Sequence, residues 1–133
     1  MELEAFHCPR WEELPQLALY MDQVLLVLST AFAPLSAGQP PVTASMINNY
    51  VKDGVLPRPN QKKYSKEHLS RLLMICLLKS VLSLPQINDT LRGLTATQRI
   101  DMLYQDFADA QSIALREVAE RIEALSEPSE ETM

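Results

Sequence analysis

The sequence predicts an all-α fold, and three observations carry the prediction. Aliphatic side chains recur at steps of three and four residues along most of the chain, the spacing of one face of a helix. Hydroxyl residues stand directly before several of these runs, at Thr43, Ser65 and Ser83, where helix N-caps belong. Only 3 glycines and 3 phenylalanines occur among 133 residues, which favours helices over a β-sandwich. The length suits one domain, expected over residues 1–125, with residues 126–133 as a disordered acidic tail around Pro128.

Taken in order, residues 1–13 read as irregular, punctuated by Pro9 and Pro15. A long first helix is expected up to about residue 33. Its stripe is Leu14, Leu17, Met21, Val24, Leu28 and Phe32. Within it, Asp22 and Gln23 read as a buried polar contact, and Trp11 upstream as a lid over the core. Pro34 and residues 36–41 then form a loop. Thr43 caps a short second helix, with Val42 and Ile47 placed for a hydrophobic staple and Gly54 for a left-handed terminus. Ile47 and Val51 face inward, while Ser45, Asn48, Asn49 and Lys52 fall on the other side. Pro57 and Pro59 keep the next stretch extended, and residues 61–64 suit a loop or tiny hairpin.

Ser65 caps a third helix over about 66–82, apolar nearly all round and hence central. Ser83 and Gln86 have capping-box spacing for a fourth helix, which Gly93 is expected to close. A last helix starts at Thr95 or Thr97 and runs to about 125, with Ile100, Leu103, Phe107, Ala110, Ala114, Val118, Ile122 and Leu125 on one side. That stripe either folds back on the first helix or pairs with a second copy of the chain. In the second case Val118, Ile122 and Leu125 form the seam.

Charge is unevenly distributed. Residues 52–79 hold seven basic and two acidic side chains, a balance of +5, while residues 1–51 stand at −4 and residues 80–133 at −6. A basic segment between acidic flanks is the pattern of one face that meets phosphate. Asparagine can pair its amide with adenine N6 and N7 in the major groove, which makes Asn48 and Asn49 candidate base readers beside Ser45. Lys52, Arg58, Lys62 and Lys63 would contact phosphates. Tyr64 would either donate its hydroxyl to a phosphate or pack onto the third helix.

Residues 42–57, Val42-Thr43-Ala44-Ser45-Met46-Ile47-Asn48-Asn49-Tyr50-Val51-Lys52-Asp53-Gly54-Val55-Leu56-Pro57, resemble the recognition helix and following turn of MerR-family regulators. Lys62-Lys63-Tyr64-Ser65 looks like the end of their wing, and residues 69–87, with Leu84-Pro85-Gln86-Ile87, are similar to the two helices after it. The whole chain more closely resembles an uncharacterised bacterial domain-of-unknown-function family. It shares Leu19-Tyr20-Met21-Asp22-Gln23-Val24 and Met46-Ile47-Asn48-Asn49-Tyr50-Val51-Lys52 with that family. The resemblance implies a MerR-like winged helix-turn-helix core over 42–92, flanked by long N-terminal and C-terminal helices. It also implies a recognition helix 43–53 in the major groove of double-stranded DNA, a basic wing 58–64 on phosphate, and a homodimer made through the last helix. The alternative is a helical protein–protein interaction module that has lost DNA contacts.

Other functions find little support in the residues. His7, Cys8, His68 and Cys76 are all the histidines and cysteines present, and a four-ligand zinc site would have to use every one of them, so no metal or other cofactor is expected. No glycine-rich phosphate loop and no nucleophile–base constellation can be picked out, so an enzyme is not expected. The best apolar run, residues 17–32, is broken by Asp22 and Gln23, and no membrane span is expected. Glu2 and Glu4 do not suit a signal peptide, and two cysteines make no disulfide framework; a cytoplasmic protein is expected.

Overall fold

Local rules set most of the helix boundaries in this chain. The computed structural model describes residues 8–36 and 39–126 and is all-helical. A 3-10 turn, Trp11–Glu13, precedes α1 (Met21–Ala31), α2 (Ala33–Ser36), α3 (Ala44–Lys52), α4 (Lys66–Leu78), α5 (Leu84–Thr95) and α6 (Ile100–Ser126). Among the described residues extended pairing is confined to two isolated antiparallel bridges, Leu19 with Tyr64 and Asn60 with Lys63. No helix of the described residues is long and apolar enough to cross a membrane.

α4 is the central element. Leu69, Leu72, Leu73, Met74 and Ile75 are all buried, together with His68 and Ser70 at its start. α5 and the first half of α6 pack against it, contributing Ile87, Leu91, Leu103 and Tyr104 to the same core. α1 adds Val24 and Leu28, and α3 adds Ile47 and Tyr50.

Several boundaries differ from the sequence expectation. The first helix begins at Met21, not near residue 14. Pro15 disfavours helical geometry at Leu14, which is extended with ψ 145°. The chain stays outside the helix as far as Tyr20, bending at Gln16 and Leu17, and there the Gln23 side chain caps the Tyr20 N–H at 2.9 Å. Leu17 therefore lies off the stripe and is 81% exposed. Asp22 is exposed and Gln23 serves the helix end, so the pair forms no buried polar contact. Pro34 does not begin a loop. It sits in the first turn of α2, where its missing N–H costs nothing.

Downstream, α4 stops at Leu78, and residues 79–82 turn to present Ser83 in the extended conformation of the next N-cap. Val81 consequently points out. Gly93 does not close α5, because its φ is not left-handed; the helix runs on to Thr95, whose hydroxyl donates to the Leu91 carbonyl at 2.7 Å. The last helix starts at Ile100, five residues after α5 ends, and includes Ser126, which the sequence places in the tail. Residues 127–133, like His7, lie outside the described residues.

Cys8 is not at a loose end. It is buried against Tyr104, whose hydroxyl donates to the Pro9 carbonyl at 2.6 Å and leaves the Cys8 thiol, 3.3 Å away, to donate to the phenolic oxygen. Trp11 packs on the same ring, with centroids 6.2 Å apart. Both cysteines are free and buried. Burial pushes the Cys76 thiol from its ordinary 9.0 up to about 12. Between those values the unfolded chain holds fewer protons than the folded one, so this thiol makes stability fall as pH rises through the window. Below pH 9 it contributes no slope. Thiol titration of the native protein at pH 8 is therefore expected to modify Cys76 only as fast as the protein opens. Immediate reaction would show that the α4 core admits solvent.

Candidate nucleic-acid interface

α3 is held rigidly at both ends. The Thr43 hydroxyl accepts from the Met46 N–H at 3.1 Å, and Val42 and Ile47 are buried on either side of this cap. At the far end Gly54, with φ 77°, reverses the chain. The Val55 N–H then donates to the Tyr50 carbonyl at 2.8 Å and the Gly54 N–H to the Val51 carbonyl at 3.1 Å, the pair of bonds of a Schellman motif. Tyr50 and Val55, buried together, supply its apolar contact.

With Ile47 and Tyr50 turned into the core, the opposite side presents Ser45, Asn48, Asn49 and Lys52 to solvent. Their spacing of three, four and seven residues places them on one helical stripe. Each asparagine amide is free of partners within the described residues, as base-edge readout requires.

The segment after α3 is pinned by His68. Its Nδ1 accepts from the Ser65 N–H at 3.0 Å, which leaves Nε2–H to donate toward the Pro57 and Arg58 carbonyls at 3.1 and 3.2 Å. Asn60 and Lys63 then exchange backbone hydrogen bonds around Gln61 and Lys62, with φ of 51° and 66°. Two left-handed residues in succession are the signature of a two-residue hairpin turn. Lys62 stands exposed at the tip. Lys63, also exposed, places its Nζ 5.3 Å from the centre of the Tyr20 ring. Lys52, Arg58, Lys62 and Lys63 make no ion pair with any described residue, so their charge is available to an anion.

Tyr64 is placed differently. It is 3% exposed, stacked edge-on against His68 with centroids 5.4 Å apart, and burial raises its pKa. Its backbone exchanges hydrogen bonds of 2.7 and 2.9 Å with Leu19, tying the hairpin to the segment before α1. Of the phosphate and packing roles open to it, the structure shows the packing one. Lys79, within the basic segment, is turned away and donates to the Pro41 carbonyl.

Sequence reasoning missed two features here. Tyr20, half exposed, lies under a hairpin lysine. Arg58 shares a cleft with Arg71 of α4 and Arg92 of α5. Neither grouping follows any spacing in the sequence, because each joins separate elements.

On the last helix, Val118, Ile122 and Leu125 are exposed, at 47%, 39% and 85%. Among the described residues no group of three or more His, Cys, Asp or Glu could hold a metal ion.

These observations define an all-helical protein with a rigid polar helix face and a lysine-bearing turn. The chain belongs to the family described as a domain of unknown function, DUF1836, whose model matches residues 9–107. That span takes in α1 to α5 and ends at Phe107, partway along α6. No curated protein and no solved structure matches the chain.

Proposed function

We propose that this chain is a cytoplasmic DNA-binding transcriptional regulator of the MerR-like type, acting as a homodimer. The observation that carries the reading is the exposed stripe Ser45, Asn48, Asn49 and Lys52 on a helix capped at both ends. In this reading α3 enters the major groove and its asparagines read base edges. Lys62 and Lys63 on the hairpin, with Lys52 and Arg58, hold phosphates and set the register. In this reading the tight turn at Gln61 and Lys62 serves as the wing, and the His68 latch on the Pro57 and Arg58 carbonyls ties its approach to α4.

The dimer is supported by α6, whose 27 residues span about 40 Å. Its first half is buried against α4, while Val118, Ile122 and Leu125 beyond it are exposed at steps of four and three, with Ala119 buried among them. A single short recognition helix binds weakly, and two half-sites related by symmetry restore affinity.

Salt dependence tests the reading. Affinity for duplex DNA is expected to fall by orders of magnitude between about 50 and 200 mM salt. The double change Lys62→Ala and Lys63→Ala is expected to weaken all duplexes alike and lower the slope of log affinity against log salt by about two for each subunit bound. An unchanged slope would place the hairpin away from DNA. One further reading has an observation in its favour. Leu26 is exposed beside Leu14 and Val27 in an apolar groove along α1, which suits a helical protein-interaction module. Absence of binding to any duplex at low salt would leave that module as the function.

A further inference from the structure

A cleft of about 400 Å³ opens between the end of α3, the loop after it, and α5. Its floor is apolar, formed in part by Val55 and Leu56, both buried. Its polar lining is cationic: Arg58 from the loop, Arg71 from α4 and Arg92 from α5, with the Asn88 amide beside them. No aspartate or glutamate lines it. Three guanidinium groups line one cleft whose walls carry no carboxylate, an arrangement that favours an anion there.

Arg71 supplies a second, independent sign. Its side chain is only 16% exposed, and its Nη2 reaches Glu67 at 3.6 Å from outside the cleft. Its Nε–H is enclosed and has no hydrogen-bond partner. A buried donor left unmatched costs stability, and a bound ion or water beside it is one of the ways in which native proteins account for such a group. Arg58 and Arg92 are exposed and form no ion pair among the described residues.

We infer that this cleft binds the phosphate group of a small organic molecule. Guanidinium forks match the oxygens of phosphate in pairs, and three of them with an amide donor exceed what one carboxylate can accept. The apolar floor receives the organic part, and the volume lies in the range of small-ligand sites. This site lies apart from the outward stripe of α3 and shares only Arg58 with the phosphate contacts of the DNA reading, on which it does not otherwise depend. The cleft wall includes Val51 and Gly54, so an occupant would also brace the end of α3.

The test uses the full chain, with inorganic phosphate and phenyl phosphate as probes. Calorimetry and the 15N resonance of the Arg71 Nε–H provide the readouts. Phosphate is expected to shift that resonance, and phenyl phosphate to bind more tightly than phosphate. Arg92→Gln and Arg58→Gln, both on exposed side chains and so tolerated by the fold, are each expected to weaken binding about tenfold, since each removes a charge-assisted contact. The Lys62→Ala, Lys63→Ala variant is expected to bind phosphate as the parent does. Loss of binding in that variant, or unchanged binding in both arginine variants, would reduce the effect to general surface charge and overturn the site. A DNA duplex that displaces phosphate and moves the Arg71 Nε–H itself would assign the cleft to nucleic-acid backbone and overturn the small ligand.

Discussion

Tyr104→Ala is expected to destabilise the chain by about 3–5 kcal/mol, the range for deleting a large buried aromatic side chain. Tyr104 is fully buried on the half of α6 that faces α4. Its ring carries Trp11, and its hydroxyl holds the Pro9 carbonyl and the Cys8 thiol. Truncation would leave a cavity and also strand these N-terminal partners, so the loss should exceed that of an aliphatic deletion in the same core. Tyr104→Phe keeps the ring and is expected to lose about 1–2 kcal/mol, the value of the hydroxyl contacts. Urea titration followed by tryptophan fluorescence measures both, because Trp11 is the only tryptophan and lies beside the altered ring. Equal losses in the two variants would mean that the hydroxyl, not the packing, fastens residues 8–14 to α6.

The second large effect concerns association. With Val118 and Ile122 both changed to Asp, the protein is expected to become monomeric and stay folded, its thermal midpoint lowered by the stabilisation that association supplied, since both side chains are exposed in the single chain. Affinity for a palindromic duplex should then fall by about 10²–10⁴, the gain that linking two half-sites provides. Binding to a single half-site should change little. Light scattering on the parent protein is the deciding measurement. A parent that is already monomeric at tens of micromolar would remove the dimer and the expectation of a palindromic site.

Some of this architecture was legible in the sequence because local chemistry set it. Thr43, Ser65 and Ser83 cap α3, α4 and α5, and Gly54 takes the left-handed conformation that its position after α3 suggested. The outward set Ser45, Asn48, Asn49 and Lys52 also follows from helical periodicity alone. Hydrophobic spacing misled at Leu17, where periodicity continued through a stretch that Pro15 and the Gln23 cap hold out of the helix. It misled again at Gly93, because a glycine ends a helix only where the backbone turns left-handed, and here it does not. Long-range pairings left no trace in the sequence. Nothing in the spacing of Leu19 and Tyr64, of Cys8 and Tyr104, or of the three cleft arginines announces that they meet.

The tie between Cys8 and Tyr104, 96 positions apart, also orders events during synthesis. Helices α3, α4 and α5 are all translated before their last partner, and the Cys8 thiol, Pro9 and Trp11 wait with their binding ring still untranslated. At about 5–20 residues per second, that wait lasts several seconds. For the last part of that wait, about 1–5 s between Leu78 and Tyr104, the apolar face of α4 that α6 later covers has no partner to cover it. A polysome making this protein thus carries a row of half-built cores, each sealed only when the stretch around Tyr104 reaches the solvent.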